Sequence, residues 1–272
     1  MNSTYHFTGG ELKEKANALE RGMLYGDGFF ESMRWHNGKI LLRQLHEERL
    51  RRSAELLQMN LQELADLQIL EKKLSASIQE KNLRIRIVVT RSGTGFYLPD
   101  ANNTTVYVQL QSLNHYYQLN ERGLRCINYK AQTKAAGKFS CIKSTSALLY
   151  VMASLEMKSS GADEAIIYNS EGRIAEGSST NLFLCSGKKI LTPSLEEGCV
   201  DGVFRKFLLH TASKNGYSVT EGKVTEEDLK SADELWFTSS IRGLIWAESC
   251  EEKNFENTEA RHLHSLLLKE LL

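Results

Sequence analysis

Lys143 stands between Ile142 and a stretch, Ser144 to Tyr150, that turns apolar and reads as the start of a helix. An amine in such surroundings is partly desolvated, which lowers its pKa and leaves it free to form a Schiff base with a carbonyl group. Lysines are mostly solvated surface groups, so residue type alone does not single this one out. A second group lies in the block from Gly161 to Phe183, where a strand, a turn at Gly172 and a further extended piece bring Glu176 to the edge of a Gly-Ser-Ser-Thr-Asn loop. A carboxylate aimed at a ring nitrogen keeps that nitrogen protonated and the ring electron-withdrawing. A surface glutamate beside a polar turn would show the same pattern.

Anion-binding features accompany these two groups. Gly202 directly precedes a predicted helix that opens with Val203 and Phe204. Backbone N–H groups at such a start, reinforced by the helix dipole, bind phosphate, although an ordinary turn glycine reads the same way. Arg49 lies at the edge of an apolar helix face formed by Leu45, Leu50, Ala54 and Leu57. Its fork of donors could reach a phosphate or merely pair with acidic neighbours on the surface. Ser239 and Ser240 follow the predicted strand at 234–237, where hydroxyls either cap a pocket or form a plain turn. An amine, a carboxylate for a ring nitrogen, a phosphate site and room for substrate are together what an aldehyde cofactor carrying a phosphate requires.

The elements that must position these groups divide into two halves. The first reads as α+β, with a glycine-punctuated start, a helix over 44–58, a second helix within 61–82, and strands at 84–90 and 105–110 joined through a turn at Ser92 to Gly95. A polar stretch from Ser112 to Glu121 reads as a linker between an N-terminal α+β domain, 1–115, and a C-terminal cofactor-binding domain, 122–272. The second half alternates short strands at 165–168, 181–185 and 234–237 with helices that start near Ser144 and Val203.

Lys and Arg total 34 and Asp and Glu total 34, so no field of one sign points to a nucleic acid or membrane partner. The N-terminal residues hold no apolar core between basic flanks, and no apolar run approaches the roughly 18 residues of a membrane span. A cytoplasmic location is expected. The five cysteines are widely spaced without a CxxC pair, as free thiols in a reducing compartment would be. His262 and His264 are two apart and would point to different helix faces, so no metal site is expected.

Taken in order, the segments 21–31 (RGMLYGDGFFE), 46–50 (HEERL), 142–144 (IKS), 176–183 (EGSSTNLF), 201–205 (DGVFR) and 233–240 (DELWFTSS) resemble the class IV pyridoxal-phosphate family. That family includes D-amino-acid and branched-chain aminotransferases and 4-amino-4-deoxychorismate lyase. The resemblance implies an α/β (α+β) two-domain fold like that of D-amino-acid aminotransferase, with pyridoxal 5'-phosphate in the interdomain cleft, and a homodimer. It further implies that Lys143 carries the cofactor and moves a proton, that Glu176 holds the pyridine nitrogen, and that Arg49, Val203, Phe204 and Ser240 bind the phosphate. Leu148, five residues after Lys143, is similar to the D-amino-acid enzymes and the lyase, whereas branched-chain enzymes usually place a tyrosine there. The turn after Arg91 lacks the second arginine that those D-amino-acid enzymes and the lyase use for a substrate carboxylate, Arg34 follows a branched-chain pattern, and Ser146 stands where asparagine is common. Arg34, Arg91 and Arg242 are therefore the candidates for the substrate carboxylate, with Tyr25 and Phe30 as walls of the pocket. The expected reaction moves an amino group from an amino acid to a 2-keto acid. Lyase chemistry, which eliminates pyruvate and leaves 4-aminobenzoate, is the closest alternative, and a non-catalytic protein retaining the fold is a further one.

Overall fold

In the computed structural model the described residues are 4–8, 11–15, 20–61 and 66–272. The glycine pair of the expected N-terminal start, at 9–10, lies outside them. The first half carries β1 (Thr4–Thr8), β2 (Glu11–Lys15), α1 (Arg21–Tyr25), β3 (Gly28–His36), β4 (Lys39–Ile40), α2 (Arg43–Leu56), α3 (Leu67–Ser77), β5 (Asn82–Arg91) and β6 (Thr104–Ser112). The second carries β7 (Leu124–Lys134), α4 (Leu148–Ser159), β8 (Glu164–Asn169), β9 (Ile174–Gly177), β10 (Asn181–Ser186), β11 (Lys189–Pro193), α5 (Val203–Lys214), β12 (Ser218–Gly222), α6 (Glu226–Ser231), β13 (Glu234–Ser239), β14 (Gly243–Cys250), β15 (Lys253–Asn254) and α7 (Thr258–Leu271). The fold is mixed α/β, as expected. None of the described helices is long and apolar enough to cross a membrane.

Strands β4, β3, β5 and β6 form an antiparallel sheet in that order. Period-two alternation sorts its residues. Ile85, Ile87 and Val89 of β5 join Met33 and Trp35 of β3 and Leu50 of α2 in one core. Residues directly opposite in an antiparallel pair share a face, so Phe30, Ser32 and Arg34 lie with Val88, Arg86 and Arg84 on the other side. Glu31 consequently points into the core side, beneath α2.

The larger sheet runs β12-β11-β10-β13-β14-β7-β8-β9, with β15 beside β14. On one face Phe183, Trp236 and Leu244 pack with Phe207 and Leu208 of α5 and Leu263 and Leu267 of α7. On the other, Ile166, Leu182 and Phe237 pack with Leu229 of α6. Residues 113–123, between the two sheets, hold neither helix nor strand.

The helix expected from Ser144 begins only at Leu148, and its apolar residues Leu148, Val151, Met152 and Leu155 face solvent while Ala153 packs inward. The preceding segment is instead stitched to β3. Phe30 N donates to Lys143 O at 2.9 Å, Thr145 N to Gly28 O at 3.0 Å, and Ser144 bridges Phe29. Ile142 sits in the core of the first sheet, so Lys143 is held at the junction of the two sheets.

Candidate active site

A cavity of about 690 Å³ opens at this junction, within the size range of small-molecule sites. Lys143, Glu176, Arg49, Val203, Phe204, Ser240, Arg242 and Phe30 all line it. Burial, together with the nearby Arg49 guanidinium, pulls the Lys143 ammonium down to about 8 against the opposing pull of Glu176 and Glu31. Its Nζ lies 4.7 Å from the centroid of the Phe30 ring. The desolvation expected for this lysine is therefore present, within a cavity wall that includes Phe30 of β3 and Leu149 and Tyr150 of α4.

Glu176, on β9, is buried and held by three donors. Tyr150 OH donates to Oε1 at 2.6 Å, the Lys134 ammonium contacts the same oxygen, and Val200 N donates to Oε2 at 2.8 Å. The loop that follows closes with Gly177 N on Thr180 O at 2.9 Å. Beneath it, buried Glu164 accepts from Ser178 N at 2.9 Å and from Thr180 Oγ1 at 3.0 Å.

Gly202 is the N-cap of α5 and makes no side-chain cap, so the first-turn N–H groups of Val203 and Phe204 are left without that satisfaction. A Cβ on Gly202 would lie 1.8 Å from Asn181 Oδ1, which explains the glycine by close approach. Asn181 Nδ2 in turn holds Val200 O at 2.8 Å and fixes the loop. Arg49 is buried rather than on the surface, and its partner is Glu31. Nε and Nη2 bond the two Glu31 oxygens at 2.6 and 2.7 Å, and Nη1 bonds Asp201 O at 3.1 Å, which leaves two of a guanidinium's five N–H donors. Burial pushes the Glu31 carboxyl up, but Arg49 and His46 pull it further down, to about 2.

Three sequence candidates lie outside the cavity lining. Arg34 is buried, bonds Asn82 Oδ1 at 2.9 Å and the carbonyls of Ile241 and His115, and stacks 4.4 Å from the Tyr117 ring, so it ties β3 to the loop after β13. Arg91 is consumed by Asp27, Asn102 and the carbonyls of Leu57 and Gln58. Tyr25 packs on Tyr97, with ring centroids 5.5 Å apart, and under the Arg21 guanidinium. Of the three arginines proposed from sequence only Arg242 reaches the cavity; its Nη2 lies 3.5 Å from Glu164 Oε2 and its backbone N donates to Ser239 Oγ at 3.1 Å.

Residues that sequence reasoning missed fill the remaining wall. Arg84 and Arg86 line the cavity from β5, and among the described residues the Nε of each is buried without a partner. Arg84 Nη2 reaches Ser32 Oγ at 3.3 Å and the Arg86 guanidinium lies 4.6 Å from the Phe30 centroid. Their signal was two arginines at i and i+2 in a strand whose intervening residues are apolar. The buried Thr238 hydroxyl also lines the cavity and has no partner among the described residues. Lys134 and Tyr150 carried no sequence signal, because only the fold brings them to Glu176. The donor set fits a phosphate-bearing aldehyde: an amine with a lowered pKa, a fixed carboxylate, and an uncapped helix start beside Arg49.

The family model for amino-transferase class IV matches residues 28–250. The aminodeoxychorismate lyase of Bacillus subtilis (strain 168) is 30% identical over 274 residues, covering 97% of this chain and 93% of that one. The branched-chain-amino-acid aminotransferase of Pseudomonas aeruginosa is 28% identical, covering 85% and 80%. Among solved structures, the 4-amino-4-deoxychorismate lyase from Pseudomonas aeruginosa superposes with a TM-score of 0.81 at 25% identity, covering 94% of this chain and 97% of that one. The branched-chain aminotransferase of Thermoproteus uzoniensis, at 24% identity, TM-score 0.82 and coverage of 99% and 95%, shares the fold. The family match spans most of the sequence, including Lys143, Glu176 and the start of α5, and the chain therefore belongs to the class IV aminotransferases and is a pyridoxal-phosphate-dependent enzyme.

Proposed function

We propose that this enzyme is an aminotransferase that moves an amino group from an amino acid to a 2-keto acid, with Lys143 carrying the cofactor and shuttling the proton. Glu176 holds the pyridine nitrogen, and Arg49, Val203, Phe204 and Ser240 surround the phosphate. The observation that carries this reading is that Lys143, Glu176 and the uncapped start of α5 line one cavity. Pyridoxal phosphate, when bound, supplies the electron sink that makes a substrate Cα–H bond acidic. With an amine midpoint near 8, Lys143 is unprotonated in about a tenth of molecules at neutral pH, so its Nζ can take the Cα proton and return it. Three donors prevent the Glu176 carboxylate from turning away. Phe30 keeps water from one side of Lys143. Arg84 and Arg86, with Arg242, supply the cationic end to which a substrate carboxylate is drawn.

Lyase chemistry on 4-amino-4-deoxychorismate is the second reading. It is favoured by the 30% identical Bacillus subtilis relative and by the Arg84, Arg86 and Arg242 guanidinium groups in the cavity, enough for a ring with a second carboxylate. The deciding experiment adds pyridoxal phosphate to the purified protein and follows the visible band with D- and L-amino acids, then with keto acids. Bleaching by an amino acid and return with a keto acid supports transamination. Pyruvate release from aminodeoxychorismate supports the lyase. A protein that forms no visible band with the cofactor refutes both.

The active form in this reading is a homodimer. Leu148, Val151, Met152 and Leu155 form an exposed apolar stripe on α4, and Tyr107, Val108 and Leu110 are exposed on β6. Sedimentation at the dimer mass is the expected result; a monomer at micromolar concentration would refute it.

A further inference from the structure

Lys134 closes β7, where the pairing with β8 shifts register between Tyr129 and Lys134. That irregularity turns a lysine inward: the residue is 8% exposed and lines the cavity. Its ammonium contacts Glu176 Oε1 and lies 5.4 Å from the centroid of the Tyr150 ring. A buried ammonium needs an anion, and the only carboxylate it contacts among the described residues is Glu176. The cavity therefore holds two lysines around one carboxylate. The charged groups acting on Lys143 include Arg49 from α2, Glu176 from β9, Glu31 from β3 and Lys134 from β7, and Arg84 and Arg86 of β5 and Arg242 line the same cavity.

We propose that Lys134 is a positioning residue of this site: its ammonium fixes the Glu176 carboxylate and partly offsets its charge, so that Lys143 faces a compensated carboxylate rather than a bare anion. The inference rests on the reading of Lys143 and Glu176 as the cofactor-handling pair. An anion beside an amine holds the proton on it, and a cation paired to that anion weakens the hold. Lys134 thereby keeps the Lys143 amine available near neutral pH. It also leaves Glu176 with both oxygens oriented, Oε1 toward Lys134 and Tyr150 and Oε2 toward Val200 N.

The test measures the ionisation midpoint of Lys143 itself. The full chain, freed of bound aldehyde with hydroxylamine, is labelled with acetic anhydride across a pH series, and the Lys143 peptide is quantified by mass spectrometry. Lys134→Met is expected to raise the midpoint enough to reduce the free amine at neutral pH by about threefold or more. Lys134→Arg, which keeps the charge, is expected to leave it at the wild-type value near 8. The double variant Lys134→Met/Glu176→Gln, which removes both charges, is expected to return it toward that value. An unchanged or lowered midpoint in Lys134→Met, or an equal displacement in Lys134→Arg, overturns the proposal. Should Lys134→Met not fold, the other two variants decide, since a raised midpoint in either contradicts charge compensation. Failure of the proposed function would show separately, as wild-type protein that forms no visible band with pyridoxal phosphate.

Discussion

Glu31→Gln tests how Arg49, proposed above to bind the cofactor phosphate, is held. Glu31 is 1% exposed and grips Arg49 through two hydrogen bonds and His46 Nδ1 through a third at 2.7 Å. A carboxyl displaced from 4.5 to about 2 contributes about 3 kcal/mol to the stability of the ionised folded state. Because the folded value is depressed, that contribution is fully present above about pH 4.5 and is lost as pH falls through about 2. The substitution removes the charge and leaves Arg49 buried without its anion, a loss of the same order. Urea unfolding followed by the fluorescence of Trp35, buried on the same strand as Glu31, is expected to show the variant about 3 kcal/mol less stable at pH 7. The gap between the two proteins is expected to narrow to between about 1 and 1.5 kcal/mol near pH 3, because below about pH 4.5 the unfolded wild-type chain takes up a proton at Glu31 that the folded protein does not. A gap below about 1 kcal/mol at pH 7, or one that stays constant down to pH 3, would refute the assignment of Glu31 as the ionised anchor of Arg49.

Lys143→Met is expected to abolish the visible band and to raise stability at pH 7 by about 2 to 3 kcal/mol. The folded protein holds a lysine pulled down from 10.5 to about 8, a cost that is complete below 8 and disappears above 10.5, so comparing melting at neutral and strongly alkaline pH checks the sign. In Gly202→Ala the new Cβ would collide with Asn181 Oδ1, and the start of α5 must shift; a fluorescence titration is expected to show affinity for pyridoxal phosphate reduced by about tenfold or more in a folded protein. Arg86→Ala is expected to raise KM for a dicarboxylic amino acid by about tenfold or more with a smaller change in kcat, the signature of lost substrate binding.

Much of the frame was legible because it is local. The helix over 44–58 appears as α2, the strand at 84–90 as β5, and the helix after Gly202 as α5, each announced by apolar period or by a glycine before an apolar run. The short β9 and the Gly177 loop could be read from the Gly172 turn, where a positive φ of 73° suits glycine. The strand β3 was visible only as a string of motif residues, and α4 was placed too early because residues 143–145, which looked helical from their apolar continuation, pair with β3 instead.

The sequence by itself determined the chemical inventory: which lysine follows Ile142, which glutamate precedes the Gly-Ser-Ser-Thr-Asn loop, and which glycine opens α5. Tertiary structure alone decided which arginines are tied up away from the cavity and which line it. Arg34, Arg91, Arg84 and Arg86 are the same residue type within or at the edge of strands, yet long-range neighbours satisfy the first two with carbonyl and carboxylate oxygens, while among the described residues Nε of the last two has no partner. The physical reason is that the free energy of a buried charge depends on partners supplied by other elements, and those partners are distant in the chain: Asp27 for Arg91, Ile241 for Arg34, and Glu176 for Lys134.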